Sequence, residues 1–334
     1  MRNIYYYIIV LSTLLLLSSC NDEWKDELYT NMVSLKAPIN RDDVSVIYLR
    51  YKPEGLVSYK LPVIVSGSKI NNRDYNVRIG VDNDTLAILN YARYTHREDL
   101  YYKQLPESFF EFPSNVCHIP TDSNVALFNI NFKFSGIDLS EKWVLPLTIE
   151  DDPSYVMNMY KGRRKALLWI LPFNDYSGDY SATGMNIYYG DDTSNQTVVS
   201  SREARVVDDN TVFFYAGLTE EKDINRSKYK IFVKFKDVDR VSEDGSQIGK
   251  LELTSDNPEI NLELLSEPTY EIREEMDIDK PHIKKRFITL RMSYKYEDYT
   301  SISTRRQPYR CDGSMIMQRN INILVPDEDQ AIVW

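Results

Sequence analysis

The sequence predicts an all-β protein of two domains, and three observations carry that prediction. Apolar residues recur at every second position through most of the chain, as along Val57, Tyr59, Leu61, Val63 and Val65, which is the period of a half-buried strand. Turn-forming clusters such as Gly67-Ser68, Gly190-Asp191-Asp192 and Asp208-Asp209-Asn210 cut these runs into short pieces. Tyrosine, with 25 residues against 12 phenylalanines, suits antiparallel strands whose rings carry a polar tip at a wet surface. Many short strands with almost no helix point to sandwiches or barrels.

The chain opens on a stretch that stands outside this fold. Arg2 and Asn3 form a short positive start, Ile4 to Leu17 is an almost wholly apolar run, and Leu17-Ser18-Ser19-Cys20 closes it with small residues. These are the three regions of a secretory signal. The run is 14 residues long, whereas a spanning helix needs roughly 20, so a cleaved signal over residues 1–19 is expected in preference to a permanent transmembrane helix. A cysteine directly after Leu-Ser-Ser resembles the lipobox of bacterial lipoproteins. That resemblance implies a diacylglycerol on the Cys20 thiol, cleavage before Cys20 and acylation of the new amine; the alternative is an ordinary signal-peptidase site. Each buried methylene contributes about 0.8 kcal/mol and one chain alone holds only marginally, so such an anchor would be permanent for practical purposes. The acidic cluster Asp22, Glu23, Asp26 and Glu27 resembles the export signal of Bacteroidetes lipoproteins bound for the outer face of the outer membrane. Residues 20–31 are thus expected to form a lipidated acidic tether.

Without residues 1–19 the 334-residue chain keeps 315 residues, enough for two domains each with its own core. The formal charge of −10 becomes −11 once Arg2 is lost. A chain so charged is repelled by phosphate backbones, which excludes nucleic acid as an expected partner. With Cys20 lipidated, Cys117 and Cys311 remain. They fall in different expected domains, so both are expected unpaired, with Cys117 a small buried hydrophobe on a strand.

The first domain is expected over 32–171. A first strand lies around Met32 to Lys36, and the two-residue period begins at Val44, Val46, Tyr48 and Arg50. Val57 to Ser66 follows, then Tyr75, Val77, Ile79 and Val81 alternating with Asp74, Asn76, Arg78 and Gly80. One helix interrupts the strands: Asp82 or Asp84 can cap it, and Leu86 and Leu89 fall at helical spacing with Ala87 and Ala92 between them. Strands resume at Phe109 to Phe112, Val116 to Ile119, Phe128 to Phe134 and Trp143 to Ile149. Lys165 to Leu171 is apolar on both faces, as a central strand would be.

The turn formers of 172–178 mark the linker, and the second domain is expected over 179–334. Its strands are suggested at Asp179 to Tyr189, Thr197 to Val207, Val212 to Ala216, Tyr229 to Phe235, Ile248 to Thr254, Glu259 to Leu264, Thr269 to Glu274, Phe287 to Tyr296 and Ser314 to Leu324.

Several of these segments together resemble a known kind of protein. Tyr59-Lys60-Leu61-Pro62-Val63-Ile64-Val65-Ser66-Gly67, the helix start at Asp82 to Leu89, Leu105-Pro106-Glu107-Ser108 and Trp143-Val144-Leu145-Pro146-Leu147 are similar to the N-terminal domain of Bacteroidetes surface lipoproteins and of some secreted family 18 glycoside hydrolases. Tyr176-Ser177-Gly178-Asp179-Tyr180 and Arg310-Cys311-Asp312-Gly313 resemble the C-terminal domain that such lipoproteins carry. The resemblance implies an Ig-like β-sandwich with one helix, followed by a second β domain that is a β-sandwich or a β-barrel. It also implies a place in a glycan-utilisation locus, beside a paired outer-membrane transporter and its surface lipoprotein. It supplies no catalytic or binding residue.

Chemistry-bearing motifs are scarce. There is no Gly-x-Ser-x-Gly, His-Glu-x-x-His, phosphate-binding glycine loop or Cys-x-x-Cys. Of the three histidines, His96 falls in the expected helix, His118 beside Cys117 on a strand, and His282 after Pro281; each reads as an ordinary core or surface residue. Asp82-Asn83-Asp84 and Asp277-Ile278-Asp279 could offer oxygen ligands to calcium but lack the glycine and closing glutamate of a calcium loop, and read as caps or solvated residues. No metal, cofactor or catalytic residue is therefore expected. Carboxylates are plentiful enough for a glycosidase pair, but the βα alternation of a barrel hydrolase is missing.

A sugar site needs a ring to stack on the apolar face of a pyranose and polar groups for its hydroxyls. Trp143 and Trp169 read as strand-face core, while Trp24 and Trp334 lie in the tether and at the last position. The candidates are Tyr188 and Tyr189, which point to opposite faces of one strand, and Tyr299, Arg305, Arg306 and Tyr309 in the polar segment Tyr296 to Arg310. The expected protein is a non-catalytic, lipid-anchored lipoprotein on the outside of the outer membrane, which captures oligo- or polysaccharide for a transporter. A surface glycosidase, and a structural adhesin or transporter accessory protein, are the alternatives.

Overall fold

The structure is a computed structural model that describes residues 30–38, 43–67 and 70–326. The signal segment, Cys20, the acidic residues Asp22 to Glu27 and Trp334 lie outside the described residues. Among the described residues no helix is long and apolar enough to cross a membrane.

The first half runs through β1 (Met32–Leu35), β2 (Ser45–Arg50), β3 (Val57–Ser66) and β4 (Tyr75–Val81), then a helix at Thr85–Tyr94. It continues with β5 (Tyr102–Gln104), β6 (Phe110–Glu111), β7 (Val116–Ile119), β8 (Val125–Phe132), β9 (Lys142–Ile149), β10 (Val156–Met157) and β11 (Lys165–Phe173). These strands make two sheets, ordered β10-β1-β3-β8-β6 and β2-β11-β9-β4-β7, with β5 beside β9. The sheets pack face to face as a sandwich: Leu61, Val63, Ile130 and Phe132 from the first meet Val77, Leu145, Leu147 and Leu168 from the second in one buried cluster. Full burial of each such side chain contributes about 1.5–3 kcal/mol, which makes this alternation decisive for the pairing register.

The apolar character of β11 on both faces has a direct cause. Ala166, Leu168 and Ile170 face the sandwich core, while Leu167 and Trp169 pack with Leu86 and Leu89 under the Thr85–Tyr94 helix. The carboxylate of Asp82 accepts from the amides of Asp84 and Thr85 at 3.2 and 3.3 Å and pairs with Lys165 at 2.8 Å. It works as a cap at the helix start. The helix ends at Tyr94, so His96 sits beyond it rather than within it. A single extra turn at Lys161–Arg164 joins the one helix that the pattern suggests.

The second half consists of β12 (Gly178–Tyr189), β13 (Gln196–Val198), β14 (Ser201–Val206), β15 (Thr211–Tyr215), β16 (Lys230–Val241) and β17 (Gln247–Thr254). After these come β18 (Glu263–Leu264), β19 (Thr269–Met276), β20 (Ile283–Asp298) and β21 (Gln307–Asn322). Neighbouring strands pair antiparallel in the order β12-β14-β15-β16-β17-β19-β20-β21, and β21 then pairs with β12. The ring closes into an eight-stranded up-and-down barrel, which decides between the two architectures left open by the pattern. Closure follows from strand length. β21 holds β20 from Ile283↔Asn322 to Asp298↔Gln307 and still offers its other edge to β12 from Ser181↔Ile316 to Tyr189↔Tyr309, so no long edge is left unpaired. At the bulge in β12, a side chain on Gly313, whose φ is +140°, would run into the carbonyl of Gly184; only glycine lets the closing strands approach there.

An eight-stranded barrel is just wide enough to be filled by side chains. Tyr180, Ile231, Val233, Ile288, Leu290, Tyr294 and Cys311 fill this one. Cys117 and Cys311 are both free and buried. Two segments differ from the expected strands. Thr197 to Val207 divides into β13 and β14, and Glu259 to Leu264 is a 3-10 turn at Pro258–Ile260 followed by the two-residue β18. Pro258 has no N–H to give a ladder and Asn261 is left-handed at φ 46°.

Between the halves, Pro172 and Phe173 belong to β11 and Gly178 to β12, so the connection is the turn 174–177. Pro172 is tolerated because β9 pairs with β11 only as far as Trp169, leaving β2 as the sole partner there. Buried Asn174 closes the turn, its Oδ1 accepting from the amides of Tyr176 and Ser177 at 2.9 and 2.8 Å. The seam is packed as well as bonded. Val206, Phe213 and Tyr215 of the barrel join the sandwich cluster, and buried Arg205 donates to the carbonyl of Leu139 at 2.7 Å while pairing with Glu203 and Glu221 at 3.0 and 2.9 Å.

Candidate ligand-binding site

One mouth of the barrel is built by the β15–β16 connection and the β20–β21 hairpin. β15 ends at Tyr215, and Gly217 then takes φ +50° in a place where a side chain would overlap the ring of Tyr296. The chain turns through Asp223, whose Oδ2 accepts from the amide of Glu220 at 2.7 Å, and a 3-10 turn at Arg226–Tyr229 leads into β16. Opposite, β20 ends at Asp298 and the hairpin loop holds Tyr299, Thr300 and Ser301. Together these elements enclose a cavity of ≈430 Å³ lined by Leu218, Thr219, Asp223, Ile224, Asn225, Tyr229, Tyr296, Asp298, Thr300, Ser301 and Tyr309. That volume lies in the range of small-molecule sites, and a mixed lining of rings and a few polar groups is what such sites use.

The polar wall is prearranged. Tyr229 donates its hydroxyl proton to Asp298 Oδ1 at 2.6 Å and accepts from the amides of Tyr299 and Thr300 at 3.1 and 3.0 Å. The same Asp298 oxygen accepts from the amides of Thr300 and Ser301 at 2.9 and 3.1 Å. Burial works to raise the Asp298 pKa, but the hydrogen bonds from Ser301, Tyr229 and Thr300 outweigh it and hold the carboxyl below its ordinary value. Burial, and then the Asp298 carboxylate, push the Tyr229 hydroxyl up to about 12. The proton therefore stays on tyrosine, and Asp298 is an anion at neutral pH.

The aromatic wall runs from rim to floor. Tyr309 stacks on Tyr296 at 5.4 Å between ring centroids and 20° between planes, and makes a T-shaped contact with Tyr189 at 5.8 Å. Tyr296, only 2% exposed, contacts Tyr229, which contacts Tyr299. Tyr309 is half-buried and lines the cavity, so it brings an aromatic ring to the site, the kind of group that stacks on a pyranose.

Of the residues singled out from sequence, Tyr309 lines the cavity, and Tyr189, Tyr299 and Arg306 stand around its rim. Tyr189 is 47% exposed. The Arg306 guanidinium lies 5.6 Å over the Tyr299 ring and is held by Glu259 and by Glu297 at 3.3 Å. Two are set apart. Tyr188 points to the other face of β12 from Tyr189, outside the barrel, and Arg305 is exposed in the hairpin loop away from the lining. Tyr229, Tyr296, Asp223, Asn225 and Asp298 were not singled out from sequence. Asp298-Tyr299-Thr300 carried a local signal, since an aspartate two residues before a threonine amide is a common turn former.

The sandwich holds a second cavity, of ≈410 Å³, against the Thr85–Tyr94 helix. Its lining is largely aliphatic, with Val44, Ile88, Leu89, Ala166 and Leu167, and Pro38 and Asp43 border it at the ends of residues 39–42, which lie outside the described residues. The Asp277 carboxylate accepts from the amides of Asp279 and Lys280, both at 2.9 Å, and pairs with Lys285 at 2.8 Å, so it too is a turn cap. None of the three histidines lines either cavity.

This two-domain arrangement recurs in solved structures. A protein of unknown function from Bacteroides ovatus is 42% identical, with a TM-score of 0.81 over 91% of this chain and 100% of its own. A multidomain protein including DUF1735 from the same organism is 43% identical, with a TM-score of 0.78 over 90% of this chain and 99% of its own. The chain belongs to the family of these two-domain Bacteroides proteins. Another member, an auxiliary nutrient binding protein from Bacteroides thetaiotaomicron VPI-5482, is 35% identical, with a TM-score of 0.77 over 88% of this chain and 97% of its own. A family model described as a domain of unknown function, DUF4973, matches residues 24–153, and a second, described as a C-terminal domain, matches residues 164–316. The first match ends and the second begins between residues 153 and 164, so the second takes in the last sandwich strand, β11, together with the barrel. No curated protein matches the chain.

Proposed function

We propose that the protein binds a nutrient glycan at the cell surface without altering it, and that the sugar sits in the mouth of the barrel. The observation that carries this reading is the cavity itself, whose lining combines the Tyr309 ring with the polar groups of Asp223, Asn225 and Asp298. A family member known as an auxiliary nutrient binding protein supports it. Asp298, held below its ordinary value, does not fit the acid of a glycosidase pair, which must hold its proton near neutral pH; a non-catalytic role is part of this proposal. In this proposal Cys20 carries the lipid, the acidic residues after it direct the chain to the outer face of the outer membrane, and the sandwich spaces the barrel from that surface. The captured glycan would pass to a paired outer-membrane transporter and its surface lipoprotein.

Calorimetry of the purified chain against a panel of neutral and acidic oligosaccharides tests the binding. Saturable binding that is strongly weakened in Tyr309→Ala, with no sugar cleaved on long incubation, is the expected result. Product formation would convert the reading to a glycosidase, and silence across the panel would remove it. Surface proteolysis of cells carrying the chain with Asp22, Glu23, Asp26 and Glu27 replaced by alanine tests the address, and unchanged exposure would overturn the role given to those residues.

A further inference from the structure

We infer that the barrel mouth selects glycans free of anionic groups and rejects those carrying uronates or sulfates; the inference rests on the glycan-binding reading and names the class of sugar. Among the described residues the only charged side chains lining the cavity are two carboxylates, Asp223 and Asp298. No lysine or arginine lines it to offset them.

Three of the cations nearby are already engaged, and a fourth, Lys228, is exposed 5.9 Å over the Tyr299 ring and does not line the cavity. Arg202 donates to the carbonyls of Gly217 and of Thr219, the latter at 2.9 Å. Arg226 donates to the carbonyls of Asp223 and Asp99 at 3.3 and 2.9 Å. Arg306 is held by Glu259 and Glu297. Recognition of a uronate or sulfate calls for the opposite arrangement, an arginine fork or lysine turned into the site. Removing Asp298's charge by protonation is opposed by the hydrogen bonds that favour its ionised form.

Two fixed carboxylates also have a use. An ionised carboxylate only accepts, at about four lone-pair sites, and sugar hydroxyls are donors whose bonds to a charged acceptor are roughly twice as strong as neutral ones. An anionic sugar placed there meets like charge in a partly enclosed site, where a separation of a few ångströms weakens binding by about tenfold or more. Selectivity would thus come from repulsion of the wrong ligand as much as from attraction of the right one.

The test uses the purified full chain in detergent at low ionic strength, where charge effects are screened least. The probes are matched pairs: mannotriose, maltotriose and cellotriose, and the same trisaccharides oxidised at C6 to uronates. The expected result is measurable binding of at least one neutral member and about tenfold or weaker binding of its oxidised twin. Asp223→Asn, which keeps an acceptor for the Glu220 amide, should narrow that gap several-fold. Equal or tighter binding of the oxidised member overturns this inference and leaves glycan binding standing. Binding of neither member of any pair, or binding that Tyr309→Ala leaves untouched, removes the site and the inference with it.

Discussion

In the sandwich, the buried tyrosines Tyr51, Tyr75 and Tyr155 are spread among aliphatic side chains of the main cluster, whereas in the barrel Tyr229, Tyr296 and Tyr309 gather at one mouth. Each half holds a cavity, and the two are nearly equal in size, ≈410 Å³ against ≈430 Å³. Their linings differ. The sandwich cavity offers chiefly methyl groups beside a lysine that already pairs with Asp82, and the barrel cavity offers rings with prearranged acceptors. Volume alone therefore does not mark a binding site. What separates the two is whether polar groups converge in fixed orientation on the same space.

The difference can be broken at several points, and the largest effect should come from the sandwich core. Leu61→Ala, at a fully buried position, is expected to cost about 2–5 kcal/mol of stability, read by chemical denaturation. Glycan affinity of the molecules still folded should not change if the sandwich is a platform. Next, Tyr309→Ala should weaken glycan binding by about 2 kcal/mol, roughly 30-fold, with little change in melting temperature. Its counterpart in the sandwich is Ile88→Ser, at a position 63% exposed beside the other cavity. Calorimetry should find affinity unchanged in Ile88→Ser, and the reverse pattern would move the site to the sandwich.

Smaller effects sharpen the picture of the mouth. Tyr229→Phe removes the hydroxyl that donates to Asp298 and should cost about 1 kcal/mol. It should also let the Asp298 carboxyl titrate closer to its ordinary value, which carbon-detected NMR can follow. The pH dependence has a definite sign. The folded Asp298 pKa lies below the ordinary carboxyl value of the unfolded chain, so the unfolded chain takes up this proton first, and the stability the group contributes is fully present above about pH 4. It is lost as pH falls through the lowered folded value. Ordering of the 299–306 hairpin, followed by amide exchange, should persist at pH 5 and weaken only below that window. Loss already at pH 6 would show that Asp298 is not the group that holds the loop.

Much of the fold was legible because strand formation is written locally. Val57 to Ser66 emerged with its alternating faces intact, and the double-sided character of Lys165 to Leu171 marked a strand covered on both faces. Elements that depend on a proline or a left-handed residue were read less well, as at Pro258 to Asn261. The candidate site was half legible. Tyr309, Tyr189 and Tyr299 stood out as rings in a polar context, whereas Tyr229 and Tyr296 read as strand ends. Those two lie 67 positions apart, and only the barrel's curvature brings their rings to 6.4 Å.

By itself the sequence determined which residues pair into strands, which faces turn inward and that two halves meet near Asn174, because apolar periodicity and turn chemistry act over a few residues. The proposed anchor at Cys20 and the acidic stretch behind it rest on the sequence as well, because a signal of that kind is a linear string. Tertiary structure alone decided that the second half closes into a barrel, because closure depends on β21 reaching β12 from more than a hundred residues away. The same closure set Asp298 against the Tyr229 hydroxyl and brought Tyr309 and Asp223 to one cavity. The chemistry of the candidate site is a property of that ring of strands, and no single stretch of the chain contains it.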